Sequence, residues 1–247
     1  MPAQDWTSIR KSVKDEPCGG CPRNDAKMPV HLPRNAEPRK VKFLVVSQEP
    51  AFAWRAKGAA AAEAKMADLC KNAKEGTPTF KEAREVDPVV RLVQVFGNFD
   101  PAEGHVYWTH ALKCIPRNSD RDVNKEWRKC AKACQNHLMN EIWALGEASL
   151  NVVAIGKYAL EMCLNAFDDQ DIDQELSISE FMQSNALPLS YKLKSKDGTV
   201  KNIALFVYTN PSSEVCKVKK VGGKMTVDEL QELETKKVKE ILAKKAY

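Results

Sequence analysis

The stretch VKFLVVSQEPAF, residues 41–52, decides the fold. Phe43 to Val46 is an unbroken apolar run containing β-branched residues, without the alternation of a strand that faces water on one side. It reads as a strand buried on both faces. Strands of that kind belong to parallel sheets covered by helices. The exit from this strand is unusual, because Gln48, Glu49 and Pro50 stand where a simple turn more often places Gly, Asn or Asp. A carboxylate at the end of a core strand raises the question of chemistry.

Three further runs match the first: HVYWTHAL (105–112), NVVAIG (151–156) and IALFVYT (203–209). Between them lie segments with helical character. Ala59 to Ala73 is rich in Ala, Glu and Lys, and Val89 to Phe96 is apolar at helical spacing. Asn124 to Leu145 carries Trp127, Ala131, Cys134, His137, Leu138 and Ile142 along one side. Strands alternating with helices predict an α/β fold: a three-layer α/β/α sandwich around a mostly parallel four-stranded sheet. Asp197-Gly198, between two alternating runs, predicts a hairpin at the sheet edge. The acidic segment 167–180 is expected to be a surface excursion. Thr226-Val-Asp-Glu229 is a capping box, and Val227, Leu230, Leu233, Val238 and Ile241 form one stripe, so a helix is expected over 226–246. The whole of 1–247 is expected to form a single domain.

The bulk numbers narrow the class. A chain of 247 residues with 43% hydrophobic content has enough apolar side chains for a substantial core. It has no apolar run of about 18 residues, and its N-terminus lacks the apolar stretch of a secretory signal. The expectation is a soluble, cytoplasmic monomer with no membrane partner. Net charge is +5, from 38 Lys and Arg against 33 Asp and Glu, which suits a polyanionic partner without requiring one. Eight cysteines in a chain without an export signal are expected to be reduced thiols or metal ligands.

Their spacing favours a metal. Cys18-Gly-Gly-Cys21 precedes the first strand, Cys114 follows the second, and Cys130 comes sixteen residues later within a predicted helix. A Cys-x-x-Cys pair brings two thiolates to one centre, and two more cysteines complete a site for zinc or an iron-sulfur cluster. Cys134, one helical turn beyond Cys130, is the alternative fourth ligand. Spacing separates neither that pair nor the two metals. Cys70, Cys163 and Cys216 read instead as buried thiols acting as small hydrophobes.

Taken together these motifs resemble the uracil-DNA glycosylase superfamily, and most closely its iron-sulfur branch, family 4. The resemblance rests on Cys18-Gly-Gly-Cys21-Pro22, Ser47-Gln48-Glu49-Pro50-Ala51, Thr109-His110-Ala111-Leu112-Lys113-Cys114, the cysteine at 130 and Asn210-Pro211-Ser212, in family order from about Cys18 to Ser213. It implies a DNA glycosylase that removes uracil or another deaminated base and so starts base-excision repair. It also implies a 4Fe-4S cluster, or zinc as the alternative, on Cys18, Cys21, Cys114 and Cys130. Gln48-Glu49 is closer to the Gln-Asp-Pro of the uracil-specific branch than to the Glu-Ala of the iron-sulfur branch, so Glu49 resembles the carboxylate that activates water. His110 stands where the family has the Asn that reads the uracil edge. Asn210 stands where most members have a His, as in the mismatch-specific branch.

The resemblance thus implies Glu49, His110 and Asn210 as catalytic residues, and Gln48, Phe52, Phe80 and Ser212 as substrate contacts. Phe52 and Phe80 are the candidates for stacking on an extruded base. Glu214-Val215 replaces the Leu that family members wedge into DNA. Trp54, Arg55, Arg117, Arg121 and the lysines at 217, 219, 220 and 224 are candidate DNA contacts. Structural roles compete with these assignments: helix capping for Glu49, an interior histidine for His110 and an Asx-turn for Asn210. The alternative function is a non-catalytic nucleic-acid-binding module that keeps the fold and metal site.

Overall fold

The computed structural model describes residues 21, 40–48, 64, 106–114, 123–145, 148–168, 178, 181, 188–208, 220–221, 225–226, 236 and 240. In chain order its elements are β1 (Phe43–Ser47), β2 (Val106–His110), α1 (Val123–Ala144), β3 (Ser149–Ile155), α2 (Lys157–Asp168), β4 (Leu189–Lys194), β5 (Val200–Tyr208), β6 (Lys220–Val221) and β7 (Met225–Thr226). The main sheet runs β2-β1-β3-β5-β4. Four strands are parallel, and β4 lies antiparallel to β5 at the edge.

The strand from which the reading began is interior to the sheet, with β2 on one side and β3 on the other. Phe43, Leu44, Val45 and Val46 are all buried, which explains the unbroken apolar run. Each such side chain contributes roughly 1.5–3 kcal/mol by leaving water. Five strands replace the four expected. The added strand is the first arm of the predicted hairpin, and its sequence looked different because an edge strand is half exposed. Leu193 is buried whereas Ser190, Lys192 and Lys194 face water, and lysines on an edge discourage pairing with another chain.

The turn between β4 and β5 uses Asp197-Gly198 as expected. Gly198 has φ 86°, in the left-handed region that a Cβ disfavours. The Thr199 N–H donates to Asp197 Oδ1 at 3.1 Å, and the Ser195 N–H donates to the Thr199 carbonyl at 2.9 Å. Gly156, with φ 84°, joins β3 to α2; its N–H donates to the Tyr208 carbonyl while its own carbonyl accepts from Leu160.

Helices α1 and α2 cover one face of the sheet. Leu44, Val46, Tyr107, Val152, Ala154, Leu205 and Val207 form one core with Trp127, Leu138, Ile142, Leu160 and Cys163. Trp127 of α1 packs on Tyr158 of α2 with ring centroids 4.9 Å apart. On the other face Phe43, Val45, Trp108, Val153 and Phe206 are also buried. The structure is therefore α/β with a mostly parallel sheet buried on both faces. No element is expected from the sequence over 157–166, and the excursion expected from 167 overlaps the last two residues of α2; the buried Ala159, Leu160, Cys163 and Leu164 carry the helical pattern.

Other expectations lie largely outside the described residues. Ala64 is helical within the predicted 59–73 segment, and Val89–Phe96 is outside. Ile178 and Phe181, at the end of the acidic excursion, pack against the core. Lys236 and Glu240 are helical within 226–246, and Thr226 ends the small β6-β7 ladder.

Candidate functional site

The parallel strands end together. Ser47 is in register with His110, Val46 with Ala154, and Ile155 with Tyr208, so four C-terminal ends form one rim. In open parallel sheets ligands bind outside this rim. Backbone pairing continues one step beyond β1, with the Ala111 N–H on the Ser47 carbonyl at 2.7 Å and the Leu112 N–H on the Gln48 carbonyl at 2.9 Å. The structure therefore brings Gln48 and His110 together at the rim. Glu49, Phe52, Phe80, Asn210 and Ser212 lie outside the described residues, as does Cys18.

Strand alternation places Ser47, Trp108 and His110 on the sheet face away from α1 and α2. Ser47 Oγ is 2.6 Å from His110 Nδ1, accepts from Trp108 Nε1 at 3.0 Å and lies 3.3 Å from the Thr109 carbonyl. His110 is buried rather than open to solvent, and its Nε2 has no hydrogen-bond partner among the described residues. Burial, helped by the positive charge of Lys113, pushes the imidazole down from 6.5 to about 3. The ring is neutral at physiological pH. A buried, unpartnered ring nitrogen is costly, by about 1–3 kcal/mol, and distinguishes His110 from a fully satisfied interior histidine.

The next residue points the other way. Thr109 Oγ1 donates to Glu141 Oε1 at 3.1 Å, and Lys113 Nζ donates to Thr109 Oγ1 and Glu141 Oε2, each at 2.6 Å. Lys113 and Glu141 form a buried ion pair. The Thr109…Lys113 motif is thus anchored to α1, which sets the position of the His110 backbone between them. Glu141 was missed in the sequence. Its signal was a carboxylate three residues after Leu138 and seven after Cys134, on the buried stripe of the helix, where a charge requires an internal partner. Ser47 and Trp108 were also not assigned roles, since nothing local marks them as partners of a histidine on another strand.

The cysteines meet behind this network. Cys21 Sγ lies 3.5 Å from Cys130 Sγ, although the residues are 109 apart in the chain. Burial pushes the Cys134 thiol up to about 12; the Lys113 backbone N–H and charge oppose the rise, and charges on Cys114 and Cys21 add to it. Cys21, Cys114, Cys130 and Cys134 thus share one neighbourhood, and both candidate fourth ligands face it. A tetrahedral ion with Zn–S bonds of ~2.3 Å sets its sulfurs ~3.8 Å apart, so the Cys21–Cys130 pair fits two corners of such a site. Among the described residues no group of three or more side chains closes on one ion position. Cys163 is fully buried in the core and pushed up to about 12 by that burial, as an inert thiol should be.

No helix among the described residues is long and apolar enough to cross a membrane. Of the proposed DNA contacts, Lys220 is in β6, and Trp54, Arg55, Arg117, Arg121, Lys217, Lys219 and Lys224 lie outside the described residues. No protein-family model and no curated protein matches this chain.

Proposed function

We propose that the protein is a monofunctional DNA glycosylase that hydrolyses the N-glycosidic bond of uracil or another deaminated base. The reading rests above all on the rim that brings together Gln48 and His110, residues from two separate motifs. The approach of Cys21 to Cys130 supports a metal centre beside it without selecting an activity. Glu49 follows Gln48 directly, and Asn210 comes two residues after the last residue of β5. Glu49 orients water and stabilises positive charge on the sugar; His110 and Asn210 donate to the departing base as negative charge grows on it. The base reaches them by rotation out of the DNA stack. Cys18, Cys21 and Cys114 with Cys130 or Cys134 would hold a 4Fe-4S cluster, which would clamp the N-terminal segment onto α1. The 3.5 Å sulfur separation suits two ligands of one ion rather than ligands on separate irons, so the geometry favours zinc, and the cluster rests on the resemblance alone.

The test is a panel of oligonucleotides carrying uracil, hypoxanthine, xanthine or a thymine mismatch, incubated with excess protein and scored for alkali-labile abasic sites. At least one is expected to yield free base. In Glu49→Gln the rate is expected to fall by ~10²-fold or more. Salt-sensitive DNA binding with every base left in place would instead support the non-catalytic module.

A further inference from the structure

Three side chains on one sheet face are joined by hydrogen bonds. Trp108 Nε1 only donates, so Ser47 Oγ must accept from it at 3.0 Å. The single Ser47 hydroxyl proton then has two acceptors in reach, His110 Nδ1 at 2.6 Å and the Thr109 carbonyl at 3.3 Å. The shorter contact lies in the range of a hydroxyl hydrogen bond and the longer one lies beyond it. A neutral imidazole that accepts at Nδ1 carries its hydrogen on Nε2, the atom with no partner among the described residues.

We propose that Ser47 is a positioning residue that holds His110 in its Nε2–H tautomer, making Nε2 a fixed donor for the exocyclic oxygen of a deaminated base. The base-reading half rests on the glycosylase function proposed above; the tautomer half does not. Deamination replaces an amino donor by an oxo acceptor at the same ring position. Uracil, thymine and hypoxanthine offer an oxygen to Nε2–H, whereas cytosine and adenine present N–H groups that oppose it. Burial keeps a second proton off the ring, so the donor does not come with a positive charge. Nε2 has no exposure to solvent, so binding of a base edge to it is read directly by the titration below.

The test is ¹⁵N NMR of histidine-labelled protein without DNA, with the His110 signals identified by their loss in His110→Asn. At pH 7, Nδ1 is expected to be unprotonated and Nε2 protonated. Ser47→Ala should erase this preference and Ser47→Thr, which returns a hydroxyl, should restore it. The opposite tautomer or an imidazolium in the wild type, or an unchanged tautomer in Ser47→Ala, would overturn the proposal. In a second arm, millimolar free uracil is expected to move the Nε2 signal at roughly 10-fold lower concentration than free cytosine. Equal responses, or none to uracil, would overturn the base-reading half. A protein with the expected tautomer that cleaves no oligonucleotide sinks the enzyme reading and leaves the Ser47 assignment standing. An active enzyme with the wrong tautomer does the reverse.

Discussion

His110 and Lys113 are three residues apart, yet their side chains are treated differently by the fold. Lys113 is paired with Glu141 by a 2.6 Å contact, whereas His110 is kept neutral by burial and by the nearby Lys113 charge. Two measurable consequences follow at this scale. Because the folded chain binds the His110 proton more weakly than the unfolded chain, His110 contributes stability that is complete above pH 6.5 and is lost as pH falls toward about 3. The loss is about 1.4 kcal/mol per pH unit, large against a total stability of ~5–15 kcal/mol. Urea titrations from pH 7 to pH 4 should show it, and His110→Asn should flatten the profile; an equal slope in that variant would remove His110 as the cause. The second concerns the ion pair. Glu141→Gln leaves a buried ammonium without its countercharge and should lower stability by about 3–5 kcal/mol, while the paired change Lys113→Met with Glu141→Leu should recover most of that. Urea midpoints of the unaltered protein and the two variants decide it.

At the scale of elements, the C-terminus of α1 is closed by a residue from a strand rather than by its own sequence. Lys201, near the start of β5, donates to the carbonyls of Ile142 at 2.8 Å, Trp143 at 3.2 Å and Leu145 at 2.6 Å. These are among the carbonyls a helix leaves unpaired at its end, where a cation is also favoured by the dipole. Burial lowers the Lys201 pKa from 10.5 to about 8, which leaves the amine charged at neutral pH. Lys201→Met removes the donor and keeps the apolar stem; it should cost about 2 kcal/mol, read as a lower urea midpoint together with faster amide exchange over the last turn of α1. The strands and α1 were legible in the sequence because each has its own period and composition. This cap was not, because its donor and acceptors are 56 to 59 residues apart.

For the whole molecule, the Cys21–Cys130 contact ties the segment before β1 to the helix after β2. A metal bound there, as proposed above, would add its binding energy to folding. Cys21→Ser and Cys130→Ser should each lose bound metal and melt several degrees lower, whereas Cys163→Ser, inside the apolar core, should keep its metal. Elemental analysis for iron, sulfide and zinc, alongside thermal melts, checks this and distinguishes the cluster from the ion.

The sequence by itself determined that β1 is buried on both faces, that parallel strands alternate with helices and that a hairpin turns at Asp197-Gly198. Those features depend on local periodicity and on the backbone freedom of single residues. Only the tertiary structure decided that the hairpin adds a fifth strand, that Ser47 and Trp108 meet His110, that Glu141 neutralises Lys113, and that Lys201 closes α1. The hairpin joins the main sheet only through the pairing of β5 with β3, the side-chain contacts join groups far apart in the chain, and burial, which sets the charge state of the imidazole and the need for every ion to find a partner, exists only once the layers are packed.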